Sequence, residues 1–523
     1  MTAGERPHGT NALAQGTRTQ DAWIRRLVLL VFALGVFVYR DSIMDDTFIH
    51  LVYARNLRAA GEIAFNPGEP SQGATSPAWM LLLAAAGATE TAARLLSVAC
   101  GALSVLVFAA AARRLLGRTA WATAAAAAWA GSLWLVRHAP NGMETAAGAL
   151  TVLGAVELRA RGGRSVPRDA AVGLVLALAA LVRPESMLLA LVYAIQDLCT
   201  GWGRRRLLAW LPAFALPVLA WAWFAHDRTG QLLPVTGAAK SGGFHLHPAA
   251  WAVVLWREIR VVAAAHAVEL CGLAGAAGLA LRLDGRAAGR AVLRHPLVPY
   301  GVFTAGLLLA YALGDLQLQP RYLVPVLPCV VLAGFAAWQH LIGGGARAAA
   351  LVAVASLAVG AVSGWRTVYP ATRDFGRGVR EVLKPIALDI AGRELPHAVA
   401  ASPDIGVLGY FSGARILDLG GLVDPRVQRI VDTAGYDAML QDGLFLDLGT
   451  PDFIVDRSPE RERFAGLVTR GLRWRPLRTG ALRGLGISRP QTYYYTLYAL
   501  EPESAFGAVR AASEPLAHVT PRR

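Results

Sequence analysis

The chain has 523 residues, 55% of them hydrophobic and only 17% charged, and a mean hydropathy of +0.41, which is too apolar for an ordinary soluble protein. The formal charge of +15 does not indicate nucleic-acid binding, because the arginines gather at the ends of apolar runs instead of forming one basic face. The four cysteines (Cys100, Cys199, Cys271 and Cys329) lie in or beside apolar runs without metal-site spacing, so no structural disulfide is expected.

In chain order, residues 1–22 are polar and read as a disordered cytoplasmic tail. The apolar run 24–39 follows Arg25 and Arg26 and ends at Arg40-Asp41 without a small-residue cleavage site, so it reads as a retained first span and not a signal peptide. A crossing helix needs roughly 20 apolar residues, and about 17 can suffice. By that measure further spans fall near 92–112, 120–136, 143–158, 207–225, 261–281, 297–313, 322–342 and 348–364. The stretch 170–200 holds two short spans that meet at Arg183-Pro184-Glu185, where the proline removes a helix hydrogen bond and disfavours a helical Arg183. The fold class is thus a polytopic α-helical membrane protein of about 11 spans. The run 77–88 is too short to cross and reads as a re-entrant or interfacial helix.

Arginine placement orients these spans. With the N-terminus in the cytoplasm, the arginine-rich loops at 113–118, 159–168, 204–206 and 282–294 all fall inside, and the outer loops carry fewer positive charges. From about residue 370 charges and prolines become frequent and no further span follows, so 370–523 reads as a soluble α/β domain outside the cytoplasm. Its strand candidates are 398–401, 406–410, 452–455 and 493–500, and its helix candidates are 380–394 and 459–470. The localisation expected from this orientation is a membrane with the N-terminus on its cytoplasmic side.

The outer segment 40–76 contains Asp45-Asp46-Thr47-Phe48-Ile49-His50. A helix starting at either aspartate places Asp46 and His50 on one face. Two adjacent carboxylates at a membrane surface are not both comfortably ionised, so one of them is a candidate base; the plainer reading is a helix cap with a solvated neighbour. Other outer-side groups are Arg55, Glu69 in the turn Asn66-Pro67-Gly68-Glu69, Glu144, Arg183 with Glu185, Lys240 and Arg321. Taken singly, each has an ordinary explanation: Lys240 and Arg321 snorkelling to the interface, Arg183 and Glu185 forming a structural ion pair. Together they bring acids and bases from separate loops to one face, which suits a lipid-linked phosphate and an acceptor hydroxyl.

Several segments carry a resemblance: Asp45-Asp46-Thr-Phe-Ile; Tyr53-Ala-Arg55-Asn56-Leu57; Phe65-Asn66-Pro67-Gly68-Glu69; Gly73-Ala-Thr75-Ser76-Pro77 with Trp79. Gly142-Met143-Glu144-Thr145, Arg183-Pro184-Glu185, the run from Gly230 through Pro234 and Thr236 to Lys240, and Arg321-Tyr322-Leu-Val-Pro325 continue it. In the soluble part, Asp404-Ile-Gly406-Val-Leu-Gly409-Tyr410 and Asp418-Leu-Gly-Gly-Leu422-Val-Asp424-Pro425 complete the pattern. In this order the chain resembles the GT-C membrane glycosyltransferases, and among them the terminal cell-wall arabinofuranosyltransferases. His50 departs from the pattern, standing where a small or aromatic residue is expected.

The resemblance implies a transmembrane catalytic domain over 23–369, with an outer loop at 40–90, and an inverting transfer of a sugar from a polyprenyl-phosphate carrier. The sugar implied is a pentofuranose such as arabinofuranose, and the acceptor a glycan, lipid or protein. Asp45 or Asp46 is the implied general base, with Asp45 matching the first aspartate of the family's paired motif, and Arg183, Lys240 and Arg321 hold the leaving phosphate. A divalent cation is a candidate cofactor, although no ligand set is evident. Two rival functions are a lipid or polysaccharide flippase and a polymerase using diphosphate-linked units. The first expects repeat-related halves, which the chain lacks.

Overall fold

Apolar runs interrupted by arginine, glycine and proline become a helical bundle, and the polar C-terminal third becomes a mixed sheet docked on one end of it. The computed structural model describes residues 9–117, 119–162, 165–199, 203–231, 247–282, 295, 297–315 and 318–503. Helix α1 (Gly9–Val38) starts well inside the tail expected to be disordered, so that expectation is corrected from residue 9 onward. After it come α2 (Asp45–Ala60), the short α3 (Pro77–Ala85), α4 (Glu90–Leu116), α5 (Thr119–Ala130) and α6 (Leu133–His138). The bundle continues through α7 (Thr145–Ala160), α8 (Val166–Val182), α9 (Met187–Cys199), α10 (Gly203–Thr229) and α11 (Pro248–Arg282). It ends with α12 (Leu297–Leu313), α13 (Pro320–Leu323), α14 (Leu327–Ile342) and α15 (Ala346–Ser363).

Each expected span falls on a helix, but the count needs correction. Among the described residues, four helices are long and apolar enough to cross a membrane: Glu90–Leu116, Arg204–Thr229, Pro248–Leu279 and the run Ala346–Ala391. Leu297–Leu313 and Leu327–Ile342 are shorter apolar helices. The difference from about eleven comes partly from helices of 13 to 17 residues, at 145–160, 166–182, 187–199 and 297–313, and partly from breaks that a hydropathy reading passes over. The run 120–136 is split between α5 and α6 at Gly131-Ser132, and 322–342 is split between α13 and α14. At the expected break after α8, Arg183 is extended (φ −146°, ψ 110°) and one 3₁₀ turn, Pro184–Ser186, leads into α9. Helix α3 has nine residues, about 14 Å, which is too short to cross.

The run Ala346–Ala391 has 46 residues, about 70 Å of helix, so it passes the membrane and enters the soluble domain without a linker. Its outer part comprises α16 (Tyr369–Gly378) and α17 (Lys384–Ala391), with π turns at Gly364–Val368 and Val379–Leu383. A six-stranded sheet follows in the order β2-β1-β3-β6-β5-β4. Its strands are β1 (Val399–Ser402), β2 (Arg415–Asp418), β3 (Phe453–Ser458), β4 (Val468–Thr469), β5 (Leu472–Arg483) and β6 (Thr492–Pro502). Strand β1 runs parallel to β2 and β3, and the remaining pairs are antiparallel. The expected strand at 406–410 is instead helix α18 (Gly406–Phe411), and the expected helix at 459–470 is turns leading into β4. Short apolar runs carry no reliable period, and here contacts from Asp45 and Arg55 at the two ends go with helix. Helices α19 (Pro425–Ala434) and α20 (Tyr436–Gln441) complete the domain.

One apolar core joins α2, α3 and the loop between them to this domain. Phe48, Val52, Tyr53, Phe65 and Trp79 from residues 45–85 pack in the same cluster as Ile386, Ile405, Val407, Ile416 and Leu497. A second core, inside the domain, is built round Trp474, which is fully buried and meets Phe464, Tyr498 and Phe445 with ring centroids 5.2, 5.5 and 6.1 Å away. Trp474→Ala is expected to cost about 3–5 kcal/mol and to open residues 399–503 to protease while the membrane helices stay protected. Limited proteolysis of the full chain in nanodiscs checks this, and an unchanged digestion pattern would show that this core is not needed for the domain.

Candidate active site

The first helix of the outer segment brings both aspartates to the junction. Met44 is the N-cap of α2 and Asp45 its first residue, so neither aspartate caps its own helix. The Asp45 carboxylate instead accepts hydrogen bonds from the backbone N–H groups of Gly406 and Val407, both at 2.8 Å, at the N-terminus of α18. Gly406 is required by contact: a Cβ there would lie 2.0 Å from the Asp45 carbonyl oxygen. Arg55, one helical face further on, donates to the carbonyls of Tyr410 (3.1 Å) and Gly409 (3.2 Å) at the other end of α18. Thus α2 grips α18 at both termini, an anion at its N-terminus and a cation at its C-terminus, in agreement with the helix dipole.

Removal from water raises the Asp45 pKa from 3.8 to about 7. The neighbouring charges of Asp404 and Asp46 add to the rise, and the two amide donors oppose it. Asp404 is itself fixed by Arg457 Nη1, 2.8 Å from each of its oxygens, and by the Tyr495 hydroxyl at 2.7 Å. Asp45 therefore stands as a partly exposed carboxylate that titrates near neutrality.

Asp46 faces the bundle. One of its oxygens accepts from Arg321 Nη2 at 2.6 Å. Arg321 lies on the four-residue helix α13, is 2% exposed, and has its guanidinium 5.2 Å from the Tyr322 ring. Arg183, in the extended break after α8, is 5% exposed and donates from Nε to Glu185 at 2.6 Å and from Nη1 to Glu144 at 3.0 Å. Its guanidinium also lies 5.4 Å from the Tyr322 ring. Glu144 also meets His50 Nε2 at 3.5 Å, and Glu185 accepts from the Tyr311 hydroxyl at 3.3 Å. Gly142, with φ +80°, makes the turn that delivers Glu144, and its carbonyl accepts from the Trp79 indole at 3.2 Å.

Asp45, Asp46, His50, Glu144, Arg183, Glu185 and Arg321 thus come together in the structure. Two other residues of the expected set make different contacts. Arg55 holds α18, and Glu69 pairs with Arg415 of β2 at 2.5 Å, beside Asn66, whose amide exchanges hydrogen bonds with the Ile416 backbone at 2.8 and 2.9 Å. In the structure both residues contact the soluble domain. Lys240 lies outside the described residues.

The structure adds residues that sequence reading had not put in the cluster. Arg137 is buried and bonded to Thr372 of α16 at 2.9 Å and to His138 at 3.0 Å. Arg137, Arg183 and Arg321 all lie within electrostatic reach of His138. Tyr322, Tyr311, Asp404 and Tyr495 are the other additions; Tyr322 and Asp404 sit inside recognisable motifs, while nothing in the sequence marks Tyr311 or Tyr495. Among the described residues no three His, Cys, Asp or Glu side chains converge on a point where a metal ion could sit. The arrangement offers a near-neutral base beside buried guanidinium groups, one of which, Arg321 Nη1, has no hydrogen-bond partner among the described residues.

The chain was compared with known proteins. A family model described only as a domain of unknown function (DUF8728) matches residues 378–498, which is most of the soluble domain. No curated protein sequence matches the chain. Among solved structures, ArnT from Cupriavidus metallidurans in its apo state aligns with a TM-score of 0.58 at 16% identity, covering 92% of this chain and 98% of ArnT. The same protein bound to undecaprenyl phosphate aligns with a TM-score of 0.55 at 16% identity, over 91% of this chain and 98% of ArnT. The Archaeoglobus fulgidus oligosaccharyltransferase, in complex with zinc and sulfate, aligns with a TM-score of 0.51 at 11% identity, over 81% of this chain and 67% of its own. At these identities the likeness concerns architecture alone: the chain shares with ArnT the fold of a helical membrane domain followed by a C-terminal soluble domain.

Proposed function

We propose that the chain transfers a sugar from a polyprenyl-phosphate carrier to an acceptor hydroxyl, with inversion, on the non-cytoplasmic face of a bacterial inner membrane. The observation that carries this reading is Arg321. A guanidinium 2% exposed, with Nη2 on Asp46 and Nη1 without a partner among the described residues, is a donor held ready for an anion. A leaving phosphate that accepts from Nη1 completes it without displacing Asp46. The lipid bound to ArnT, undecaprenyl phosphate, supports a carrier of this chemical class.

In the proposed step Asp45 takes the proton of the acceptor hydroxyl as its oxygen bonds to C1 of the sugar. The bond from C1 to the phosphate oxygen breaks, and the polyprenyl phosphate leaves toward Arg321 and Arg183, with Lys240 as the further candidate cation. A base whose pKa is about 7 combines availability with driving force near neutral pH. Asp46 orients Arg321 and is not the base, since its oxygen is committed to that arginine at 2.6 Å. The motif likeness makes a pentofuranose such as arabinofuranose the sugar proposed, and a glycan, lipid or protein the acceptor. No metal step is included, as the acids present are engaged with arginines or amides. The soluble domain, which holds the base through its own backbone, covers the acceptor side.

Asp45→Asn is expected to reduce single-turnover transfer by at least about 10²-fold while expression and donor binding persist, because an amide cannot accept the proton. The wild-type rate should rise with pH through about 7, as the ionised carboxylate is the active form and its fraction grows as the proton is lost. A flat profile between pH 5 and 8 would point to another base.

The two arginines should behave differently. Arg321→Ala leaves Asp46 with a side chain 26% exposed and open to water, so the chain should fold and lose about 10- to 150-fold in donor use, as for a lost charge-assisted contact of roughly 1.5–3 kcal/mol. Arg183→Ala strands Glu144, whose side chain is 6% exposed, and should cost about 3–5 kcal/mol of stability. Melting curves with donor titrations separate the two; equal losses of stability would remove the distinction. Accessibility of a cysteine placed at residue 430 to an impermeant reagent from the outer side only is the expected topology, and labelling from the cytoplasmic side alone would overturn the orientation.

A further inference from the structure

At the end of the bundle away from the soluble domain lies a cavity of about 570 Å³ that the transfer reaction does not use. Its walls come from α1 (Ile24), and from Leu106, Val107, Ala109 and Ala110 of α4. Around these apolar walls stand Arg25, Arg113, Arg114 and Arg161, with Asp21 as the lone acid. The volume falls in the ~300–1,000 Å³ range of small-ligand sites.

The depth of this cavity can be measured along α4. Near the start of that helix Arg94 donates to the Arg40 carbonyl at 2.8 Å, on the side where the soluble domain docks. Arg113 is further along the same helix by 19 residues, about 28 Å, which is close to the ~30 Å thickness of a hydrocarbon core. The arginines of the cavity therefore stand at headgroup level of the opposite leaflet, and its aliphatic walls at the depth of the first acyl carbons.

The charges are not all used internally. Arg114 and Arg161 share the buried carboxylate of Glu157 at 3.0 and 3.1 Å, and Arg113 pairs with Asp21. Arg25 has no ion-pair partner among the described residues and is exposed. Four guanidinium groups against two carboxylates leave an excess of positive charge over an apolar slot. Guanidinium groups meet phosphate oxygens bidentately, and aliphatic walls meet acyl chains. Zwitterionic lipids bring no net charge to balance the excess, whereas an anionic phospholipid does.

We propose that this cavity is a binding site for an anionic phospholipid of the leaflet opposite the soluble domain, phosphatidylglycerol in type, with its phosphate on Arg25 and Arg113 and its acyl chain against Ile24, Leu106 and Val107. The site is separate from the proposed transfer site and does not depend on that reading.

The test uses the purified full chain in phosphatidylcholine nanodiscs, titrated with dioleoyl phosphatidylglycerol and followed by native mass spectrometry and thermal melting. A retained phosphatidylglycerol adduct and a raised melting temperature are expected, with affinity falling about fivefold in Arg25→Gln, as for one interfacial arginine. Arg26→Gln is the control. It makes the same charge change on the same helix, but Arg26 does not line the cavity and its guanidinium lies over Trp23, 5.5 Å from the ring centroid. Arg114 and Arg161 are left intact because they neutralise buried Glu157. Equal losses in the two variants would mean general attraction to a charged surface and would overturn the site. Equal retention of phosphatidylcholine and phosphatidylglycerol would overturn it as well, and so would an equal effect of inorganic phosphate alone, which would identify a free-anion site.

Discussion

The Asp45 carboxylate, held by two backbone N–H groups that follow it in the chain by 361 and 362 residues, is the contact on which the site depends. It sits where a membrane-proximal helix, a loop and a soluble domain meet, and it sets the relation among them. The donors of the grip are backbone amides, so its geometry is set by the path of the chain at 406–407. Because it is tight enough to exclude a Cβ at Gly406, it admits little slack. The soluble domain is thus not an appendage: it shares a core with α2 and α3, raises the pKa of Asp45 by burial and by Asp404, and closes one side of the cluster.

The arginines are placed by broken helices. Arg183 lies in an extended residue between α8 and α9, Arg321 on a single turn before α14, and Arg137 at the last turn of α6, just after the break at Gly131-Ser132. Irregular backbone at the edge of a hydrocarbon region is tolerated where it is buried in protein or lines a polar cavity. Each break releases a side chain from the constraint of a lipid-facing helix and lets it turn inward. Burying charge of this kind is expensive, and the structure offsets it with paired carboxylates: Glu144 and Glu185 on Arg183, Asp46 on Arg321. The donor left over on Arg321 is what, in the proposed reading, suits the cluster to an anion as well as to a structural network.

Much of this was legible in the sequence because helix breaks and outer loops announce themselves. Arg183-Pro184-Glu185 marked its own break, Asn66-Pro67-Gly68-Glu69 marked a turn, and the paired aspartates opened a helix as expected. Strands β1, β3 and β6 followed the apolar segments that foreshadow them. What was hidden depends on tertiary contact. Residues 406–410 read as a strand, and their helix is secured at its termini by Asp45 and Arg55 from far upstream. The division of labour between Asp45 and Asp46 was equally hidden, since two adjacent carboxylates are indistinguishable until one meets amides and the other an arginine. Charge in these loops alone does not separate a reactive group from a docking group, and Glu69 and Arg55 meet the soluble domain only in the folded chain.

The central claim is that buried Arg321 receives a lipid-linked phosphate within reach of Asp45. A cryo-electron microscopy map of the full chain in nanodiscs with a polyprenyl phosphate tests it most directly. The account predicts phosphate density within hydrogen-bond distance of Arg321 Nη1, with Asp46 still on Nη2 and the Asp45 carboxylate facing the space that the sugar would fill. Phosphate density elsewhere, with the Arg321–Asp46 pair closed off from it, would contradict the account.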